Sequence, residues 1–121
     1  MSDLSVPKNR RPSGRAGEDE ALDYLLKQGL TLVERNFRCH AGEIDLVMKD
    51  RDTLVFVEVR KRGRSDFGGA AASITRAKQL RLIKTAQLFL QRLDRTPASR
   101  LDAVVLDSGK ITWLKNIIDA A

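Results

Sequence analysis

The residues from Gly42 to Arg62, GEIDLVMKDRDTLVFVEVRKR, leave this chain few ways to fold. Ile44, Leu46, Val47 and Met48 make one apolar run and Leu54 to Val59 a second, separated by the charged stretch Lys49-Asp50-Arg51-Asp52. This pattern predicts two paired strands, each buried on at least one face. Yet each strand carries a carboxylate, Asp45 in the first and Glu58 in the second. Side chains alternate along a strand, so Glu58 and Arg60 share a face with Leu54 and Phe56, while Val55, Val57 and Val59 face the other way. A carboxylate so placed is costly unless compensated, and a divalent cation would compensate two at once.

The flanking segments supply the rest of a fold. Ser13 is positioned to cap a helix running to about Gln28, with Gly29 as its stop. On that helix Glu18 precedes Ala21, Leu22 and Leu25 by three, four and seven residues, which puts a third carboxylate in the apolar stripe. Its place in the first turn has a plainer reading too, a negative charge complementing the helix dipole. Leu30 to Phe37 reads as a strand interrupted by Glu34, Arg35 and Asn36, and Arg38 to Ala41 as a connection in which Cys39 and His40 are surface residues rather than ligands.

After the hairpin, Arg60 to Ala72 combines Arg60, Lys61, Arg62 and Arg64 with Gly63, Gly68 and Gly69. It reads either as a solvated linker or as a basic loop that closes on a phosphate backbone. Ser73 or Thr75 then opens a second helix to about Leu93, with Leu82, Ile83, Ala86, Phe89, Leu90 and Leu93 as its stripe and Gln79 at the stripe's edge. Lys78 and Arg81 flank the stripe, where a solvated face is the ordinary role of a cation. Leu101 to Asp107 is a further strand, with Asp102 on the face of Val104 and Leu106, and Ser108-Gly109 turns it into a last strand, Ile111 to Leu114. The order predicts one sheet with a helix on each side.

At 121 residues the chain suits one domain, expected over residues 13–121 behind a disordered basic arm at 1–12. No run of about 18 apolar residues is present, which excludes a membrane-spanning helix. Pro7 to Arg15 is basic and polar, unlike the core of a signal peptide, and a single cysteine cannot form an internal disulfide. These features favour the cytoplasm. A net charge of +6 favours polyanionic partners, nucleic acid above all. No strip of the sequence displays a self-complementary interface, so homodimerisation is left open.

Gly14-x-x-Gly17-Glu18 before a helix, then GEIDLV, FVEVR, an arginine-rich loop with Phe67-Gly68, a helix bearing Lys78 and the strand LDAVVLD together resemble the YraN-like family, bacterial proteins similar to the PD-(D/E)xK nuclease superfamily. The resemblance runs from about residue 14 to the end. It implies an α/β, restriction-endonuclease-like αβββαβ core, as in the archaeal Holliday-junction resolvases. It also implies Mg²⁺ or Mn²⁺ as cofactor, Asp45 and Glu58 as metal ligands, Glu18 as the helix carboxylate and Arg60 at the superfamily's lysine position. Gln79 resembles a helix glutamine near the site in some members, and Arg62, Arg64 and Lys78 are expected to contact nucleic acid. The family pattern is FVEVK where this chain has FVEVR. An arginine holds a phosphate well but is too basic to take a proton. The expectation is therefore a metal-dependent endonuclease on DNA, branched or otherwise structured, with a nuclease-like domain that binds nucleic acid without cutting it as the alternative.

Overall fold

The computed structural model describes residues 12–62 and 74–118. Residues 1–11 of the expected arm at 1–12, residues 63–73, with Arg64, the Phe67-Gly68 pair and Ser73, and residues 119–121 lie outside the described residues. The described elements are α1 (Pro12–Lys27), β1 (Thr31–Cys39), β2 (Gly42–Asp50), β3 (Thr53–Arg62), α2 (Arg76–Leu90), β4 (Ser99–Asp107) and β5 (Lys110–Leu114). The strands form one mixed sheet in sequence order, β1-β2-β3-β4-β5. Only the β3–β4 pair, which α2 connects, is parallel. This is an α/β fold with a restriction-endonuclease-like αβββαβ core, extended by β5.

Two apolar clusters cover the two faces of the sheet, as the sequence predicts. On one face Ala21 and Leu25 of α1 meet Leu46, Met48, Val55, Val57, Val104 and Leu106. On the other, Leu82, Ala86 and Phe89 of α2 meet Phe37, Ile44, Val47, Leu54, Phe56 and Leu101. Phe89 stands edge-on to both Phe37 and Phe56, with centroids 5.2 and 5.6 Å apart. Such aromatic pairs contribute about 0.5–1.5 kcal/mol each beyond their buried area. No helix among the described residues is long and apolar enough to cross a membrane.

Several boundaries depart from the sequence reading. Helix α1 begins at Pro12, so Ser13 lies inside the helix and not at its cap. Proline suits the first helical position because its missing N–H would be unpaired there anyway. The hairpin turn is Arg51-Asp52 alone, with Arg51 at φ 58°, so Lys49 and Asp50 stay in β2. Thr75 caps α2, accepting from the N–H of Lys78. That helix ends at Leu90: the Gln91 amide makes a last α-helical bond to Gln87, and the Arg92 and Leu93 amides tighten onto Phe89 and Leu90, three residues back. Leu93, expected in the stripe, is therefore exposed. Cys39 is the last residue of β1 and half-buried against the α2-side core, not a loop residue. His40 is exposed in the turn that follows.

A fully buried carboxylate on the α1 face, Asp102, holds β4, β5 and the residues just after β5 together. Asp102 accepts from Arg100 Nε at 3.0 Å, Trp113 Nε1 at 2.9 Å and the Asn116 amide at 2.8 Å. Arg100 also donates to Asp50 across the sheet. Burial works against the Arg100 charge, but its bonds to Asp102 and Asp50 outweigh it and raise its pKa. Removing one partner of such a node leaves the others desolvated and unpaired. Asp102→Ala is expected to cost roughly 3–5 kcal/mol, read as a fall in urea midpoint at unchanged m-value. A midpoint matching wild type would show that the node is dispensable.

Candidate functional site

The strict alternation of β2 breaks once. Ile44 packs on the α2 side, yet Leu46 packs on the α1 side. The same slip occurs in β1, where Arg35 reaches α1 and Phe37 packs towards α2, with Asn36 between them at φ 55°. Arg35 pairs with Leu46 and Phe37 with Ile44, so the two slips lie side by side at Asn36 and Asp45. The β2–β3 ladder runs only from Asp50↔Thr53 to Leu46↔Val57. Beyond that point the Val59 amide has no strand partner on this side, and the Asp45 Oδ2 accepts its hydrogen bond at 2.8 Å.

Asp45 is thus brought to the place where β2 leaves β3, and other carboxylates converge there. Donor oxygens of Glu18, Glu43 and Asp45 lie within 4.8 Å of one another. Gly17 permits the approach of α1 to the sheet, since a Cβ there would lie 3.3 Å from Leu106 Cδ1. Gly42 does the same for α2: its φ is +152°, and a Cβ there would lie only 3.0 Å from Thr85 Oγ1. Between β2, β3 and α2 lies a cleft of about 210 Å³, walled by Glu43, Asp45 and Glu58 on the sheet and by Lys78 and Arg81 on the helix.

The outer carboxylates each have a cation. Arg35 lies 3.6 Å from Glu18 and 2.7 Å from Asp19, Arg38 lies 3.3 Å from Glu43, and Lys78 lies 2.7 Å from Glu58. Asp45 has the Val59 amide. Burial pushes the Asp45 carboxyl up from 3.8 to about 8, aided by the negative charge of Glu58, against the lowering effect of the Val59 bond; Glu18 and Glu43 push it further up.

The sequence-predicted residues fall into two groups. Glu18, Asp45, Glu58 and Lys78 are brought together, although Lys78 arrives as the ion-pair partner of Glu58. Arg60 is half-buried, does not line the cleft, and has a buried Nε without a hydrogen-bond partner among the described residues. Arg62 pairs with Asp107 of β4 at 3.4 Å, and Gln79 donates to the Ile74 carbonyl at 3.4 Å outside the cleft. Glu43 and Arg81 were not expected in the site. Strict alternation sets Glu43 and Asp45 on one face but cannot show that the slip gathers them with Glu18; the left-handed tolerance of Asn36 is the sole local hint.

The donor set is all oxygen and acidic, which fits a hard divalent cation such as Mg²⁺ or Mn²⁺. Without a cation, folded Asp45 keeps its proton to about pH 8, whereas an unfolded aspartate releases it near 3.8. The folded protein then binds more protons than the unfolded chain between those values, so this group's contribution lowers stability as pH rises from about 4 to about 8. Asp45→Asn keeps an oxygen for the Val59 amide and removes the titration. Its Tm advantage over wild type is expected to grow across that window in EDTA, and Mn²⁺ is expected to raise the wild-type Tm alone. A gap constant with pH, or an equal Mn²⁺ response in both proteins, would contradict this account of Asp45.

Comparison with known proteins places the chain that carries this constellation in a family. Residues 17–106 match the sequence profile of the Uncharacterised protein family UPF0102. A UPF0102 protein of Herminiimonas arsenicoxydans is 60% identical over 118 residues, covering 97% of this chain and 95% of the relative. One from Janthinobacterium sp. (strain Marseille) is 59% identical over 108 residues, covering 89% and 88%. A third, from Cupriavidus metallidurans, is 58% identical over 107 residues, covering 88% and 80%. The chain belongs to the UPF0102 family, the YraN-like proteins that its motifs resemble.

Proposed function

We propose that this protein is a metal-dependent endonuclease that hydrolyses phosphodiester bonds in DNA. The observation that carries the reading is the convergence of Glu18, Glu43 and Asp45 where β2 leaves β3, beside Glu58. One acceptor oxygen would satisfy the Val59 amide, yet further carboxylates gather beside Asp45, and burial with the Glu58 charge pushes its carboxyl up. Asp45 and Glu58, together with Glu18 and Glu43, would hold a Mg²⁺ or Mn²⁺ ion. When bound, such an ion supplies Lewis acidity to a phosphoryl oxygen. Lys78 and Arg81 on the facing wall offer positive charge to a phosphate entering the cleft. Arg60, on the same face of β3 as Glu58, adds a fixed positive field but cannot accept a proton. Arg62 and Arg64, with the chain's net charge of +6, serve attraction to the backbone in place of sequence readout.

A second reading, a nuclease fold that binds DNA without cutting it, is favoured by Arg60 standing where the family pattern has lysine. The two are separated with Mg²⁺ or Mn²⁺ and a panel of duplex, single-stranded, flapped and four-way DNA under single turnover. Cleavage of at least one substrate is expected, with Asp45→Asn reducing the rate by at least about a thousandfold while DNA affinity measured in EDTA stays within a few-fold of wild type. Binding of these substrates without metal-dependent cleavage would establish the second reading instead.

A further inference from the structure

The ion pair between Lys78 and Glu58 joins two unlike partners. The Glu58 side chain is 6% exposed and fixed in β3, whereas Lys78 is 34% exposed on the first turn of α2. The ammonium reaches the carboxylate at 2.7 Å from the mouth of the cleft, on a flexible stem that can withdraw without opening the core. Arg35 and Arg38 stand differently, outside the cleft wall and paired to Glu18 and Glu43 at 3.6 and 3.3 Å. One ammonium offsets a single charge, while four carboxylates, Glu18, Glu43, Asp45 and Glu58, gather at this point. A divalent ion offsets more of that charge and prefers the same oxygens.

We propose that Lys78 gates the site: its ammonium competes with a divalent cation for Glu58, and cation entry releases it to join Arg81 on the substrate's phosphate. The proposal rests on the metal-dependent reading above and adds an order of events to it. In the absence of metal the ion pair holds Glu58 in place and keeps the Lys78 charge from the backbone. With metal bound, the same lysine becomes a phosphate ligand, so cation binding and DNA binding strengthen each other.

Calorimetric titration of the metal-free full chain with Mn²⁺ tests the competition. Lys78→Met is expected to bind Mn²⁺ about five- to tenfold more tightly than wild type, because the internal competitor is gone. Lys78→Arg, which keeps the charge, is expected to stay within about twofold of wild type, and Arg81→Met, which removes a cleft cation that has no ion pair with Glu58, to tighten by less than about twofold. Lys78→Gln repeats the measurement with a shorter polar side chain, should the methionine variant fail to fold. Equal Mn²⁺ affinity in wild type and both neutral variants would overturn the gate and leave the metal site standing. No Mn²⁺ binding in any of these proteins would overturn the metal-dependent reading and the gate with it. The release step is read from the salt dependence of duplex binding, with Ca²⁺ as the hard cation. Lys78→Met is expected to flatten the slope by about one unit with Ca²⁺ and to leave it unchanged in EDTA. An equal loss in both conditions would show that Lys78 faces phosphate without release, and would overturn the gate.

Discussion

The hydrogen bond from the Val59 amide to Asp45 decides what the centre of this sheet can be. Where β2 leaves β3, a backbone N–H loses its ladder partner, and a buried amide left so costs about 1–3 kcal/mol. The Asp45 carboxyl offers it an acceptor oxygen in either protonation state. The same bond fixes Asp45 beside Glu58 and within reach of Glu18 and Glu43, where its own ionised form is disfavoured. Backbone satisfaction and chemical poise therefore reside in one side chain. Replacing it with an apolar residue would relieve the charge and orphan the amide.

The two inward aspartates of the sheet show how a structural carboxylate differs from a poised one. Asp102 is completely buried, yet a guanidinium, an indole and a backbone amide account for its oxygens. Asp45 is less deeply buried and has a single amide donor, with three other carboxylates near it. Burial alone would rank Asp102 as the stranger residue. Partner accounting reverses the order, because the cost of a buried charge is set by what surrounds it.

Much of the frame was legible in the sequence, since it follows from period and polarity. The split of Leu54 and Phe56 from Val55 and Val57 between two cores came directly from alternation, and so did the inward aim of Glu58. The place of Asp102 on the Val104 face was legible as well. Its partners were not, because Arg100, Trp113 and Asn116 meet only once β5 folds back on β4. Glu43 stayed hidden for a related reason. Its neighbourhood depends on a change of face shared by β1 and β2 at Asn36 and Asp45, with their pairing unbroken, and strict alternation read strand by strand does not anticipate it. Lys78 was visible as a cation on a helix flank, but helical period cannot tell a solvated ammonium from one turned 2.7 Å from a buried glutamate.

Charge at two length scales then constrains how such a site can work. The chain carries +6 overall, which favours a polyanion in solution, but the cleft sets Glu43, Asp45 and Glu58, with Glu18 beside Asp45, against Lys78 and Arg81. Screening confines each field to about 8 Å at physiological ionic strength, so the distant positive charge cannot cancel the acidic wall for a phosphate already inside the cleft. A phosphate approaching that wall meets repulsion that only a local cation removes. While it is paired to Glu58, Lys78 is turned to the carboxylate, which leaves Arg81 to meet a phosphate on that wall. For the proposed reaction, cation binding would therefore serve substrate entry, by freeing Lys78 from Glu58, as well as the chemistry, and the basic exterior would set how often a strand arrives, not whether it is held at the carboxylates.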